Sequence, residues 1–551
     1  MKTSLILLLL TGILFFGLNA FERPREKYKY FDLYAERIKE FEIQQQKLMG
    51  IIQVSEDPKS KESEIKSAIS RARLELKKID FWIRYFEPLA YKKINGPLPV
   101  EWETEVFEKF EKPYKREGAG LTLAYLCFDD EQVRKDSLLS LVNQGTLALQ
   151  CYKADSITEE LKTFSHFYLC NRLFLLNLAA IYTTGFENPD WKTIIPELRI
   201  SLEAVKEIYL TFNIAFPKQS LPDSYLSIFN STLDFVNHQP DDFEKFDHYE
   251  FIRTFVNPLY AVNQSLIAQF NVQSKSFVDY SLNRKAKSIF TKDLYFGQNE
   301  KGVFLRVADS ATLNEIEKLG RLLFFDPILS KNNQRSCASC HKIDNFFTDT
   351  TVATALTYNR DSRLPRNTPT LVNASLNHLI MADGIHISLQ DQVRGVVSNP
   401  NEMGSEENEL VLKVLSCKEY KSGFEKLLPY TPIYEEISMN HISSAITYYY
   451  SKYSRFEAEF DKMMNQELLT DEKVKRGFNL FMSKAQCATC HFVPQFNGVK
   501  PPYVGSEFEV LGVPKYTNYQ FLSADKGRYL VNPAIETLQD RKSTRLNSSH
   551  T

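Results

Sequence analysis

The chain has 551 residues, a formal net charge of -2, 25% charged and 43% hydrophobic residues. That balance marks an ordinary soluble surface and gives no hint of nucleic-acid or anionic-lipid binding. The length is enough for two to four domains.

The N-terminus reads Met1-Lys2-Thr3, an apolar run from Leu5 to Gly17, then Leu18-Asn19-Ala20. A charged start, a short apolar core and a small residue at the cleavage point predict a removable secretory signal over 1–20. The run is too short for a membrane span with flanks, which favours a removable signal and export, with the periplasm as the expected address.

From 21 to 290 the pattern predicts an all-helical domain. Ile65, Ile69, Ala72, Leu76, Ile79 and Ile83 recur at three- and four-residue steps among Lys, Arg and Glu, with Pro58 ahead and Pro88 behind. Leu161–Tyr182 and Glu203–Phe212 repeat the habit. His166, His238 and His248 are scattered through this half, which predicts core or surface roles for them. Cys127, Cys151, Cys170 and Cys417 could form a disulfide in an oxidising compartment or remain buried thiols, and spacing does not choose. A polar linker is expected over 291–312.

Two copies of one motif dominate the C-terminal half of the chain: Cys337-Ala338-Ser339-Cys340-His341 and Cys487-Ala488-Thr489-Cys490-His491. In each, two thiols can add across the vinyl groups of a haem, and the next residue is an imidazole able to reach its iron. A structural zinc site would require the two Cys-Cys-His sets, about 150 residues apart, to cooperate. A redox dithiol gives no reason for the trailing histidine in both. A repeat precedes each motif: Gly320-x-x-x-Phe324 and Gly477-x-x-x-Phe481. Glycine and an aromatic four apart share a helix face, and the glycine admits a close second helix. The first of these helices is expected to stop at Asp326-Pro327. The fold class expected is mainly α: the N-terminal all-helical domain followed by two tandem cytochrome c-like haem modules, 313–470 and 471–540.

From about Leu313 to Asp540 the chain resembles the bacterial di-haem cytochrome c peroxidase family. The resemblance rests on Leu319-Gly320-Arg321-Leu322-Leu323-Phe324-Phe325-Asp326-Pro327, Pro365-Arg366-Asn367-Thr368-Pro369-Thr370-Leu371-Val372-Asn373-Ala374, Asp383-Gly384 and Asn399-Pro400-Asn401-Glu402-Met403-Gly404. It implies two covalent haem c groups. The group on Cys337, Cys340 and His341 would be the low-potential site that meets hydrogen peroxide, and the group on Cys487, Cys490 and His491 the entry for electrons from a small cytochrome c or cupredoxin. It also implies Gln392 and Glu402 as the catalytic pair on the peroxide side. A carboxylate buried over an apolar haem face can take a proton and return it, and an amide can orient peroxide without charge. Asn367 matches the residue that helps the family hold a calcium ion, which takes hard oxygen ligands; the alternative is a cap on the following turn. Relatives often dimerise. Other outcomes of the same scaffold are oxidation of a protein or organic substrate, and a plain electron carrier.

Three departures stand out. No His lies between His341 and His378, and Tyr358 and Asn359 are poor ligands, so the first haem is expected to be five-coordinate or water-bound. Ala382 stands where the family commonly has tryptophan. No Met follows Met482 to ligate the second iron, and 541–551 reads like translated vector or adapter sequence, so the second module is expected to be incomplete.

Overall fold

The computed structural model describes residues 29–96, 102–105, 119–274, 276–298, 301–431, 436–455, 457–510, 514–516, 518, 520–531, 533, 538 and 540–542. The expected signal segment, 1–20, lies outside them.

The molecule is mainly α. The helix Glu62–Phe86 buries Ile65, Ile69, Ala72, Leu76, Ile79 and Ile83, the stripe read from the sequence, and the helix Pro88–Asn95 follows with proline at its first position, where no N–H is needed. Ser165–Ala180 is buried on every residue but its first and serves as the central post of the helical half. Ile194–Ala215 lies beside it, with Phe167 and Phe212 stacked at 3.6 Å and 6°. His166 and His248 are core residues whose pKa burial pushes to about 4, whereas His238 is exposed. A π-helical segment, Phe251–Val256, precedes Asn257–Gln269. Pro258 explains the shift: it has no N–H, and its ring crowds the carbonyl four residues back.

Among the described residues two hydrophobic cores result. One contains Phe304, Leu323, Phe324, Phe347, Val393 and Tyr450 and belongs to the first motif's module. The other joins the helical half to the second motif's module, because Met464, Phe478, Met482, Phe492 and Tyr503 pack into it. Polar contacts reinforce that junction. Asn479 accepts from the Tyr249 amide at 2.8 Å and donates to Asp247 at 3.0 Å, while Lys475 pairs with Asp247 at 2.7 Å. The stretch read as a linker is bound into the body: Leu294, Tyr295 and Gln298 are buried, and Gln298 donates to the carbonyls of Asn377 and His378.

Each module opens on an Asp-capped helix. Asp309 accepts from the Thr312 amide ahead of Ser310–Phe325, and Asp471 from those of Lys473 and Val474 ahead of Glu472–Met482. The first ends at Asp326-Pro327, as expected. Its Gly320 sits against the helix Met439–Ser451 so closely that a Cβ there would collide with the Ala445 carbonyl oxygen and stand 3.0 Å from Tyr449 Cβ. Gly477 differs. A Cβ there would have no atom within 4 Å, so the second glycine forms no such seam among the described residues.

The sequence pattern gave no sign of a small antiparallel sheet, Trp102–Glu105 with Gly505–Val510 and Asp540–Lys542. These strands are too short for a decisive period-two pattern. Residues 541 and 542, read as part of a non-native tail, pair within it. All eight cysteines are free thiols, Cys170 buried and Cys151 exposed, so no disulfide joins Cys127, Cys151, Cys170 or Cys417. No described helix is long and apolar enough to cross a membrane.

Candidate active site

The two motifs fold alike. Cys337–Ser339 and Cys487–Thr489 each form a single tight turn, and the histidine amide closes it by donating to the first cysteine's carbonyl at 2.9 Å in both copies. The imidazole is then fixed from its far side. His341 Nδ1 lies 2.9 Å from the Phe347 carbonyl oxygen, and His491 Nδ1 lies 3.0 Å from that of Phe496. A carbonyl only accepts, so Nδ1 carries the proton, and Nε2 is the nitrogen that would ligate a metal. Phe347 and Phe496 adopt left-handed backbone, φ 58° and 54°, which turns their carbonyls back toward the motif. Burial pushes the His341 pKa down, keeping the ring neutral.

Glu402 stands beside the first motif. The helix Leu389–Ser398 carries Gln392, half-buried next to the core residue Val393, and ends in the turn Asn399–Gly404. In that turn Asn399 Nδ2 donates to Glu402 Oε1 at 2.8 Å. Burial raises the Glu402 pKa, opposed by the Asn399 amide and by the charge of Arg335. Burial also raises the Cys340 thiol, with Arg335 lowering it and Glu402 raising it further, which places both charges within reach of the first motif. Arg335 anchors the arrangement by donating to the Glu402 carbonyl at 3.1 Å and the Thr357 carbonyl at 2.8 Å. Tyr358 packs over the same turn, its amide donating to the Asn401 carbonyl at 2.6 Å, while Asn359 is exposed.

Asn367 is exposed in its loop. Its neighbour Arg366 is engaged elsewhere, gripping Asp525 with two bonds of 2.8 and 2.9 Å and Asp383 with one of 2.8 Å. Arg528 donates to the carbonyls of Asp383 and Gly384, so the loop holding Ala382 is clamped between the modules. Arg335, Asn399, Asp525 and Arg528 were not singled out from the sequence. Asn399 had a signal, standing three residues before Glu402 in one turn-forming block. The others act across at least 22 residues and left none.

The donor set fits a covalent haem at each motif: two thiols and one oriented imidazole nitrogen on a single turn. The buried Tyr450 hydroxyl has no hydrogen-bond partner among the described residues and lies in electrostatic reach of Cys337, as a polar-edged group in that space would require. Among the described residues no group of three or more His, Cys, Asp or Glu is gathered to share a metal ion.

Residues 314–468 match the family model for di-haem cytochrome c peroxidase. Over 201 residues the chain is 31% identical to the cytochrome c551 peroxidase of Nitrosomonas europaea, covering 36% of this chain and 56% of that protein. It is 30% identical over 216 residues to the cytochrome c551 peroxidase of Pseudomonas aeruginosa, covering 39% and 59%. The methylamine utilization protein MauG of Methylorubrum extorquens is 31% identical over 179 residues, covering 32% and 49%. The chain thus spans only about half to three-fifths of the length of these relatives. Among solved structures, a MauG-like protein associated with microbial copper homeostasis aligns at 23% identity and a TM-score of 0.36, over 42% of this chain and 68% of that one. The diheme peroxidase BthA from Burkholderia thailandensis aligns at 18% and 0.33, over 44% and 65%. The match to the di-haem cytochrome c peroxidase family model is confined to residues 314–468, which contain the first motif and the Glu402 turn.

Proposed function

We propose that the protein reduces hydrogen peroxide to two waters, consuming two electrons and two protons, in the periplasm. The observation that carries this reading is a half-buried carboxyl, Glu402, with a raised pKa, held by Asn399 beside a Cys-x-x-Cys-His turn. Cys337, Cys340 and His341 would hold the peroxide-side haem; Cys487, Cys490 and His491 would hold the electron-entry haem. Bound there, haem iron supplies the redox chemistry. The chain's own residues handle the protons. Glu402 Oε takes a proton from one peroxide oxygen and returns it to the departing one, and the Gln392 amide orients the substrate by donating and accepting. A pKa raised by burial brings Glu402 nearer the point where it can do both.

A small cytochrome c or cupredoxin is the proposed donor. A calcium ion held in part by Asn367, and a homodimer, belong to the same reading. A second reading, oxidation of a protein or organic substrate, draws support from the MauG proteins among the relatives. Against it stands Ala382, where the resemblance leads one to look for an indole.

The test is a pyridine haemochrome count on the secreted protein, followed by peroxide-dependent oxidation of reduced cytochrome c. Two haems per chain and turnover that Glu402→Gln abolishes, with both haems retained, support the proposal. Turnover unchanged by Glu402→Gln refutes the assigned base. The ferric first haem should be high-spin, and a low-spin bis-histidine signal there would refute the open site.

A further inference from the structure

We propose that electrons pass between the two haem sites along a hydrogen-bonded bridge joining their histidines, with Asn497 and Tyr295 at the crossing. The proposal rests on the di-haem reading above and supplies the route that Ala382 leaves open.

The bridge runs bond by bond. It leaves His341 through Nδ1 to the Phe347 carbonyl at 2.9 Å. Two side chains then tie that loop to the next strand of chain: Thr348 Oγ1 donates to the Thr368 carbonyl and Thr370 Oγ1 to the Phe346 carbonyl, both at 2.5 Å. The backbone runs on to Leu376, whose carbonyl accepts from the Tyr295 hydroxyl at 2.8 Å and from Asn497 Nδ2 at 3.4 Å. Asn497 Nδ2 also reaches the Tyr295 oxygen at 3.3 Å. Asn497 follows Phe496, whose carbonyl accepts from His491 Nδ1 at 3.0 Å. Both ends of the route are therefore the bonds that orient the haem-binding imidazoles.

The crossing is buried and has a second strand. Leu376, Tyr295, Asn497 and Tyr503 are all within the core. The Tyr295 ring stacks on Tyr503 of the second module at 4.8 Å and 7°, and on His378 of the first at 5.9 Å and 24°. Electronic coupling decays far less through covalent and hydrogen bonds, or through stacked rings, than across van der Waals gaps. A second crossing, in which Arg366 pairs with Asp525 and Arg528 donates to the Asp383 and Gly384 carbonyls, is built on charged side chains, and moving charge past it must reorganise them. The neutral crossing through Asn497 and Tyr295 carries no such reorganisation.

The step moves one electron from the haem on His491 to the haem on His341, and no proton accompanies it. The test uses the fully loaded protein, half-reduced, with carbon monoxide on the open haem. Photolysis releases the electron to redistribute, and the haem absorption bands report the rate. Asn497→Leu should slow transfer by an order of magnitude or more and Tyr295→Phe several-fold. Haem content and both midpoint potentials should match the parent, which a merely structural role would not leave intact. Tyr295→Phe keeps the ring stack, so it decides the matter if Asn497→Leu loses its haem. Arg366→Gln should leave the rate unchanged. Unaltered transfer in both crossing variants, or slowing only in Arg366→Gln, overturns the bridge. Failure of peroxide turnover in the parent would sink the peroxidase reading alone, because the photolysis rate is measured without peroxide.

Discussion

Asn399 Nδ2 donates to Glu402 Oε1 at 2.8 Å, and its own Oδ1 accepts from the Asn401 amide at 3.0 Å. One side chain thus holds the turn and favours the ionised form of the proposed base. Burial raises the Glu402 pKa; this bond and Arg335 limit the rise.

Asn399→Asp separates the two duties. The carboxylate keeps an acceptor for the Asn401 amide but replaces the donor with a second negative charge. Like charge disfavours ionisation, so the Glu402 pKa climbs further. Only the ionised form can take the first proton, and it is populated as pH rises through that pKa. The acid limb of the kcat/KM profile should therefore move to higher pH in Asn399→Asp, with activity recovered at alkaline pH. A profile superimposable on the parent's would show that Glu402 does not set that limb.

The two glycines of the repeat should respond in opposite directions. Gly320→Ala forces a methyl into the Ala445 carbonyl and is expected to cost about 1–3 kcal/mol, the usual penalty for overpacking. Gly477 is exposed within a helix with open space around it, so Gly477→Ala should stabilise by roughly 0.5–1 kcal/mol through helix propensity. Urea denaturation of both variants at constant m-value reads the difference.

That contrast marks what the sequence could and could not reveal. Spacing over a few residues is local: it exposed both Cys-x-x-Cys-His motifs, the Ile65–Ile83 stripe, and the helix stop at Pro327. Spacing identifies a face, though not what covers it. Gly320 and Gly477 read identically, yet only one meets a second helix. For the same reason the apolar residues around Phe478 and Met482 gave no sign that they share a core with the helical half. Glu402 could be singled out because its block resembles a family. Arg335 could not, since its partners lie 22 and 67 residues away. Asn497 and Tyr295, separated by 202 residues, became neighbours only through the fold.

Removing the Arg84 charge should be costly to the helical half. It donates to Asp80 at 3.0 Å through Nε, to Glu187 at 2.9 Å through Nη1, and to the Tyr91 hydroxyl at 2.6 Å through Nη2. Burial alone would raise Asp80 and Glu187, but Arg84, with Lys77, outweighs it and holds both carboxyls below their ordinary range. A depressed folded-state pKa contributes stability above the unfolded value and loses it as pH falls through the folded one. The parent should therefore keep this contribution at neutral pH and lose it in acid. Arg84→Met leaves two buried carboxyls without their main partner, and removing one member of a buried ionic group costs about 3–5 kcal/mol. Because the second haem module shares this core, thermal unfolding of Arg84→Met should also release the His491-side haem environment early. Soret-band and far-ultraviolet circular dichroism melts recorded together test this. Coincident loss of helix and of the second haem's signal, at a midpoint below the parent's at pH 7 and converging with it in acid, is the expected result. A second haem signal that survives loss of the helical half would show that the shared core does not couple them.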